Sequence, residues 1–242
     1  MPISHKYKLI FIHIPKCAGI SVWHALDLTI SEENLISVTP PILHHLLPNQ
    51  LKYKYIDKLT WDSYKKITII RNPYDRVISD YFWMKDNPEA KRLANGSFDD
   101  FLTLREDVVK NNRYNQDEYF DHFYPMHFYF EGIKYDQVIR FESIAEGYEQ
   151  LRKTYNIQNE LPRVNESKRN NFTLNKTQQD RIYNLYKKDF TQFGYERKYE
   201  PAQVKPAAVA QQIHSEVGTN AIASLQPASN SIAEKQKKNK IQ

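Results

Sequence analysis

An apolar run that breaks into a proline and then into small residues lies near the start of the chain. Residues 9–21 read LIFIHIPKCAGIS, and the first four of them have the pattern of a buried strand. Residues 22–28, which follow, are compatible with a helix. A strand, a tight turn and a helix N-terminus form an anion site, because unpaired N–H groups point outward and the helix dipole favours negative charge. Lys16 adds a positive charge there and Ser21 a hydroxyl. The segment predicts either an anion site or an ordinary strand-to-helix connection.

A second apolar run, residues 67–70, ends at a basic residue. It leads into RNPYDRVISDY, in which Pro73 suits the first turn of a helix because its missing N–H costs nothing there. Arg71 then stands at the carboxyl end of a strand, where open α/β sheets bind their ligands. Ser79 lies on the following helix. Two strand ends, each with a cation and a later hydroxyl, predict one ligand with two anionic groups. The alternatives are a structural salt bridge for Arg71 and a surface hydroxyl for Ser79.

The two segments together resemble a known pair of motifs. HIPKCAGIS and IIRNPYDRVISDY are similar to the cofactor-binding motifs of the sulfotransferases that use 3′-phosphoadenosine 5′-phosphosulfate (PAPS), and most of all to those of the carbohydrate-modifying branch. By this resemblance the first motif binds the 5′-phosphosulfate and the second binds the 3′-phosphate. The cofactor-binding residues that it implies are Lys16, Cys17, Ala18, Gly19, Ile20, Ser21, Arg71 and Ser79. Among them Ile20 replaces the usual threonine, which removes one side-chain hydroxyl from the turn.

The resemblance implies a P-loop-like three-layer α/β fold, in which helices flank a central parallel sheet. The sequence agrees, because predicted strands alternate with predicted helices, a pattern typical of parallel sheets that are covered on both faces. The predicted strands are residues 9–12, 67–70 and 137–141, and the predicted helices are residues 73–84, 98–109, 143–155 and 174–190. Later segments such as KYDQVIRFESI and IYNLYKKDFTQFGY also resemble the family, so that the resemblance covers residues 8–199.

The resemblance also implies a reaction, which is in-line displacement of the sulfuryl group of PAPS by a hydroxyl of a carbohydrate or related small molecule. Lys16 is the predicted group that stabilises the bridging oxygen and the leaving group. His45 is the predicted general base, because its surroundings resemble the family segment KHxTAxQL and a histidine titrates near neutral pH. His44, one residue away, is an alternative base, and a surface histidine is the alternative for both.

Other side chains have two interpretations each. His122 and His127 are predicted either as acceptor contacts or as members of a stacked aromatic core. Trp83 and Tyr124 suit sugar stacking and packing equally. Arg76 is expected to stabilise its own helix through the neighbouring carboxylates at positions 75 and 80.

Composition separates the first 200 residues from the rest. All aromatic residues of the 242-residue chain precede position 200, and residues 201–242 end in KQKKNKIQ. Such a segment buries too little apolar area to offset its ordering entropy, so we predict a domain over residues 1–200 and a disordered, low-complexity basic tail over residues 201–242. The tail holds five Lys and two Glu of a chain whose net charge is +5, so the predicted domain is only weakly basic. We therefore expect no nucleic-acid partner.

The cysteine content and the absence of metal-binding motifs limit the kinds of site that the chain can form. The single cysteine, Cys17, excludes an internal disulfide and is either a catalytic thiol or a small residue in a tight turn. Since neither CxxC nor HExxH occurs, we predict no metal. A signal peptide or a membrane anchor is not evident, so a cytoplasmic location without stable membrane insertion is expected. The oligomeric state is open.

Two other classes share the same phosphate-binding logic. One is a kinase-like, nucleotide-dependent phosphotransferase, although the turn is too short for GxxxxGK(S/T) and the lysine precedes the glycine. The other is a non-catalytic nucleotide-binding protein of the same fold.

Overall fold

The computed structural model describes residues 3–26, 28, 45–162 and 172–199. Within them, four strands form one sheet in the order β1 (Ile3–Ser4), β2 (Leu9–Ile12), β3 (Lys65–Ile70) and β4 (Gln137–Arg140). The neighbours β2, β3 and β4 are parallel, whereas β1 pairs antiparallel with β2. The α/β prediction is confirmed, but the sheet is mixed rather than wholly parallel. β1 was not predicted because two residues are too short to show a periodic pattern.

The register of the two central strands places both predicted motifs at one edge of the sheet. Ile12 of β2 lies opposite Thr68 of β3, and the Thr68 hydroxyl donates to the Ile12 carbonyl at 2.8 Å. All of β2 and the last four residues of β3 are buried, as their apolar sequences predict. The chain therefore leaves both strands at neighbouring points, with the first motif after β2 and Arg71 directly after β3.

Helices follow each of these strands. Asn72 caps the helix after β3 by accepting from the Tyr74 N–H at 3.0 Å, and Pro73 occupies its first position, as predicted. Ser97 caps a later helix, also as predicted. The α-helices are α1 (Gly19–Ala25), α2 (Pro48–Gln50), α3 (Lys58–Ser63), α4 (Pro73–Asp86), α5 (Phe98–Lys110), α6 (Ile144–Tyr155), α7 (Lys176–Leu185) and α8 (Lys187–Phe193). One π-helical turn, Leu51–Tyr55, continues α2, and the 3₁₀ turns are Lys91–Leu93, Phe120–Phe123, Met126–Phe130 and Phe141–Ser143.

The last predicted helix is two helices. Residues 174–190 were expected to be continuous, but Tyr186 has non-helical backbone angles and separates α7 from α8. The reason is the role of its side chain. The Tyr186 hydroxyl is buried, donates to the Phe123 carbonyl at 3.0 Å and accepts from Arg105 at 2.7 Å. These contacts come from residues far away in sequence, so the local pattern does not show them.

Two hydrophobic cores hold the elements together. The first packs the sheet against α1, α3 and α6, through side chains such as Val22, Trp61 and Leu151. The second lies between α4, α5, α7 and α8 and is largely aromatic.

The predicted tail and the alternative base His44 lie outside the described residues. Among the described helices, none combines the length and the apolar character needed to cross a membrane.

Candidate active site

The turn between β2 and α1 has an unusual backbone. Lys16 and Ala18 have φ angles of 65° and 61°, in the left-handed region that costs a residue other than glycine about 1–3 kcal/mol. Ala18 is the N-cap of α1 and provides no side-chain cap. The first N–H groups of α1 therefore lack a capping acceptor, and left-handed turns of this kind let successive N–H groups converge on an anion. The turn therefore has a backbone that could hold an anion.

Gly19 is required in this turn by a close approach. A Cβ at position 19 would lie 1.7 Å from Nε2 of His13, far inside van der Waals contact. The His13 ring is buried, stacks on Phe11 with 5.7 Å between ring centroids, and lies against the first residue of α1. Only glycine leaves room for the imidazole there.

Arg71 reaches the same turn from the end of β3. Its Nη1 donates to the Lys16 carbonyl at 2.8 Å, and its guanidinium stacks 3.9 Å from the ring centroid of Phe141. The side chain is only 6% exposed, and its Nε has no hydrogen-bond partner among the described residues. Nor does any described carboxylate form an ion pair with it. The salt-bridge alternative for Arg71 therefore finds no support in the described part of the chain.

Among the three buried arginines of the described residues, Arg71 is the one that has a guanidinium nitrogen without a hydrogen-bond partner. Arg76 donates to the carbonyls of residues 15, 122 and 124 at 2.9–3.0 Å. Arg105 pairs with Asp80 at 2.6 Å and also donates to the Tyr186 hydroxyl. The expectation that Arg76 stabilises its own helix through carboxylates is thus wrong, because its guanidinium instead connects the turn after β2 to the segment of residues 122–124. A buried cationic donor without a partner is costly, so Arg71 is the arginine whose burial needs an anion to account for it.

The Lys16 side chain lies in the same region. Its Nζ stands 4.7 Å from the centroid of the Trp83 ring. Burial lowers its pKa to about 8; the positive charge of Arg71 adds to this effect and the negative charge of Asp80 opposes it. The effect of Arg71 on the Lys16 ammonium, and its hydrogen bond to the Lys16 carbonyl, show that the two cations predicted to bind one ligand lie near each other.

The predicted base, His45, is held by a carboxylate. Its Nδ1 lies 2.8 Å from Oδ2 of Asp121, and both side chains are buried. Because a carboxylate only accepts, Nδ1 carries the proton, and in the neutral ring Nε2 then has the lone pair that a general base needs. The His45 ring meets the rings of His13 and His122 edge-on, each with 4.8 Å between centroids.

A second histidine–carboxylate pair backs Trp83. Nδ1 of His122 lies 2.6 Å from Oδ1 of Asp80, and the His122 ring stacks on Trp83 with 4.8 Å between centroids. Burial raises the pKa of Asp80, but the charges of His122, Arg105 and Lys16 outweigh burial and hold this pKa well below its usual range. A continuous series of contacts thus joins the turn after β2 to the predicted base and to Lys16.

The other predicted site residues have varied surroundings. Ser21 and Ser79 are buried, and Ser79 lies one helical turn after Asp75, whose pKa burial raises although the charge of Arg71 opposes this effect. The Ile20 side chain is 46% exposed, so this residue offers the site only its main chain. The Cys17 thiol is buried in the first core, and burial raises its pKa to about 12. These surroundings favour a small residue in a tight turn over a catalytic thiol, and the Cys17 N–H donates to the Ile14 carbonyl at 3.3 Å.

The sugar-stacking interpretation loses support for both aromatic candidates. Trp83 contacts Lys16 and His122, and Tyr124 stacks on Tyr114 with 4.2 Å between centroids. His127 pairs with Asp189 at 2.7 Å in the helical region and is a structural residue.

The sequence did not single out His13, Asp80 or Asp121. His13 lies in the first motif and Asp80 in the second, and this position was the only indication in the sequence that they belong to the site.

One group of potential metal ligands occurs among the described residues. Ligand atoms of His45, Asp121 and His122 lie within 4.8 Å of one another, and all three side chains are buried. Nδ1 of each histidine lies against a carboxylate, so an ion at this group would have to bind the histidines through Nε2.

Comparison with known proteins agrees with this geometry. A model of the sulfotransferase family matches residues 1–196, which include both motifs, the whole sheet and all eight α-helices. No curated protein and no solved structure matches the chain. The family match covers most of the 242 residues. The chain therefore belongs to the sulfotransferase family.

Proposed function

We propose that the protein transfers the sulfuryl group of PAPS to a hydroxyl of a carbohydrate or a related acceptor. The observation that carries this proposal is the buried Arg71, whose guanidinium bonds the main chain of the first motif and whose Nε has no hydrogen-bond partner within the part of the chain that the structure describes. A site for a nucleotide with anionic groups at both ends needs such a cation next to the turn that holds the other end. The chemistry of the donor set therefore fits PAPS.

The residues have distinct roles in this proposal. Arg71 and Ser79 bind the 3′-phosphate, while Ser21 and the first N–H groups of α1 bind the 5′-phosphate. The Lys16 ammonium stabilises charge on the oxygen that leaves sulfur. PAPS supplies an activated sulfuryl group when it is bound.

His45 acts on the acceptor side. Its Nε2 takes the proton of the attacking hydroxyl while Asp121 fixes the ring through Nδ1. The new bond joins the acceptor oxygen to sulfur, and the bond from sulfur to the phosphate oxygen breaks. The products are a sulfate ester and adenosine 3′,5′-bisphosphate.

The proposal is tested by incubating the protein with PAPS and an extract of glycans and small metabolites, followed by mass spectrometry for an added sulfate. We expect Lys16→Ala to lower product formation by roughly 10²–10³-fold, because it removes one preorganised donor from the transferred group. Lys58→Ala is the matched control, since Lys58 is exposed and pairs only with Asp62 on α3. Normal turnover by Lys16→Ala would contradict the assignment.

Nucleotide choice separates this function from the kinase-like alternative. Adenosine 3′,5′-bisphosphate should raise the melting temperature more than ATP with Mg²⁺ does, and the reverse order would favour a phosphotransferase. Tight nucleotide binding together with no sulfated product from any extract would favour the non-catalytic alternative.

A further inference from the structure

Trp83 connects the sulfuryl-transfer lysine to a buried polar network. The residue lies on α4, half-buried, and its indole contacts the Lys16 ammonium at 4.7 Å and the stacked His122 ring at 4.8 Å. Neither contact is predicted from local sequence. An ammonium over an indole face is attracted by the ring quadrupole, and tryptophan is the best aromatic partner for it.

The indole is held firmly in this orientation. His122 is bound through Nδ1 to Asp80, and the other oxygen of Asp80 accepts from Arg105 at 2.6 Å. Asp80 and Arg105 are fully buried, and His122 nearly so. Buried networks in which each member has its partner are rigid. Trp83 therefore offers Lys16 a fixed platform rather than a mobile neighbour.

The indole matters for Lys16 because the charged groups around its ammonium have opposite effects on its pKa. Within the described part of the chain no carboxylate forms an ion pair with its ammonium. Asp80 on α4 attracts the charge, Arg71 after β3 repels it, and the Cys17 thiol beside it is buried and protonated at neutral pH. Burial disfavours the ammonium further. The indole is thus the contact that favours the charged form without adding a charge.

We propose that Trp83 is a positioning residue for sulfuryl transfer: its indole holds the Lys16 ammonium beside the turn after β2 until the bound nucleotide draws the ammonium away. This inference rests on the proposed function. The exchange is favourable because a charge-assisted hydrogen bond to a phosphate oxygen is stronger than a cation–π contact. Trp83 itself touches no reacting atom and acts through Lys16.

Tryptophan fluorescence reports the exchange directly. The chain has three tryptophans, and Trp61 serves as the matched control because Lys66 lies over its ring at 5.3 Å, while Trp61 itself lies on α3, outside both motifs. Titration with adenosine 3′,5′-bisphosphate should change the fluorescence of the unmodified protein and of Trp61→Phe equally. The change should be lost in Trp83→Phe and in Lys16→Met at saturating nucleotide.

Calorimetry with the same nucleotide is run in parallel, so that two failures can be told apart. Saturable binding without a fluorescence change, or a full change in Trp83→Phe, would overturn the role of Trp83 and leave the proposed function standing. Absence of binding by calorimetry would overturn the proposed function itself.

Kinetics distinguish positioning from a purely structural role. We expect Trp83→Leu to lower kcat/KM by about 10-fold and to move its alkaline limb to lower pH, because the ammonium loses its contact and deprotonates more easily. Trp83→Phe retains an aromatic face and should lose only about 3-fold. Equal losses in both variants, with an unmoved alkaline limb, would show that Trp83 merely fills space.

Discussion

Replacing Gly19 by alanine tests the packing of the first motif against its histidine. The added methyl group would stand 1.7 Å from Nε2, 2.0 Å from Cδ2 and 2.2 Å from Cε1 of His13. Ordinary contact begins near 3.4 Å, so the imidazole would have to move by about 1.7 Å. It has little freedom to do so, since it is 6% exposed, stacked on Phe11 and in edge contact with His45.

The expected cost follows from this overlap. Overpacking a close-packed region costs about 1–3 kcal/mol, occasionally more. Because three ring atoms of His13 are overlapped at once, we expect a loss of about 3 kcal/mol for Gly19→Ala. With a urea dependence of about 2 kcal/mol per molar, the unfolding midpoint should fall by about 1.5 M.

A double-mutant cycle isolates the clash. Urea unfolding, followed by circular dichroism, is measured for Gly19→Ala, His13→Ala and the double variant. His13→Ala removes the ring that the methyl group meets, so the double variant should be more stable than the sum of the single effects by about 2 kcal/mol. Gly96→Ala is the control, because its nearest neighbour is Oδ2 of the exposed Asp100 side chain at 2.7 Å; shifting this carboxylate weakens its bonds to Ser97 and should cost about 1 kcal/mol. A loss below that value for Gly19→Ala, or strict additivity, would refute the packing.

Three further predictions concern the chemistry of the site. The kcat/KM of sulfuryl transfer should fall as pH rises through about 8, because Lys16 acts as an ammonium and burial lowers its pKa to that value; an unperturbed rate up to pH 10 would contradict this role. Asp121→Asn should lower kcat by roughly 10²-fold and leave the affinity for adenosine 3′,5′-bisphosphate unchanged, as calorimetry would show, because His45 loses the carboxylate that fixes its tautomer. Dialysis against a chelator should leave the transfer rate unchanged, whereas activity that is lost and then restored by a divalent cation would make His45, Asp121 and His122 a metal site.

The sequence was sufficient for the two motifs and for their meeting. Both lie directly after buried strands, and carboxyl ends of neighbouring parallel strands meet at one edge of a sheet. The hydrogen bond from Arg71 to the Lys16 carbonyl shows that the two motifs meet at this edge. The starts of these helices could also be predicted from the sequence, since Ser97 and Pro73 act within their own helices.

Contacts between segments that are distant in the chain could not be predicted from the sequence. His13, His45 and His122 belong to three segments that no periodic pattern relates, yet their rings touch in one row. The partner of His45, Asp121, is 76 residues away in the chain. The same holds for Tyr186, whose buried hydroxyl interrupts an otherwise helical pattern. These features depend on packing, which local propensity does not encode.

The central claim is that the turn with Lys16 and the end of β3 with Arg71 hold opposite ends of one doubly anionic nucleotide. Calorimetry of the unmodified protein and of Arg71→Met, each with adenosine 3′,5′-bisphosphate and with adenosine 5′-monophosphate, tests it most directly. Hydrogen bonds to charged groups contribute about 1.5–3 kcal/mol, so Arg71→Met should weaken binding of the bisphosphate by about 10–100-fold. Affinity for the monophosphate, which lacks the 3′-phosphate, should stay nearly the same. Equal losses for both nucleotides, or none for either, would contradict the account.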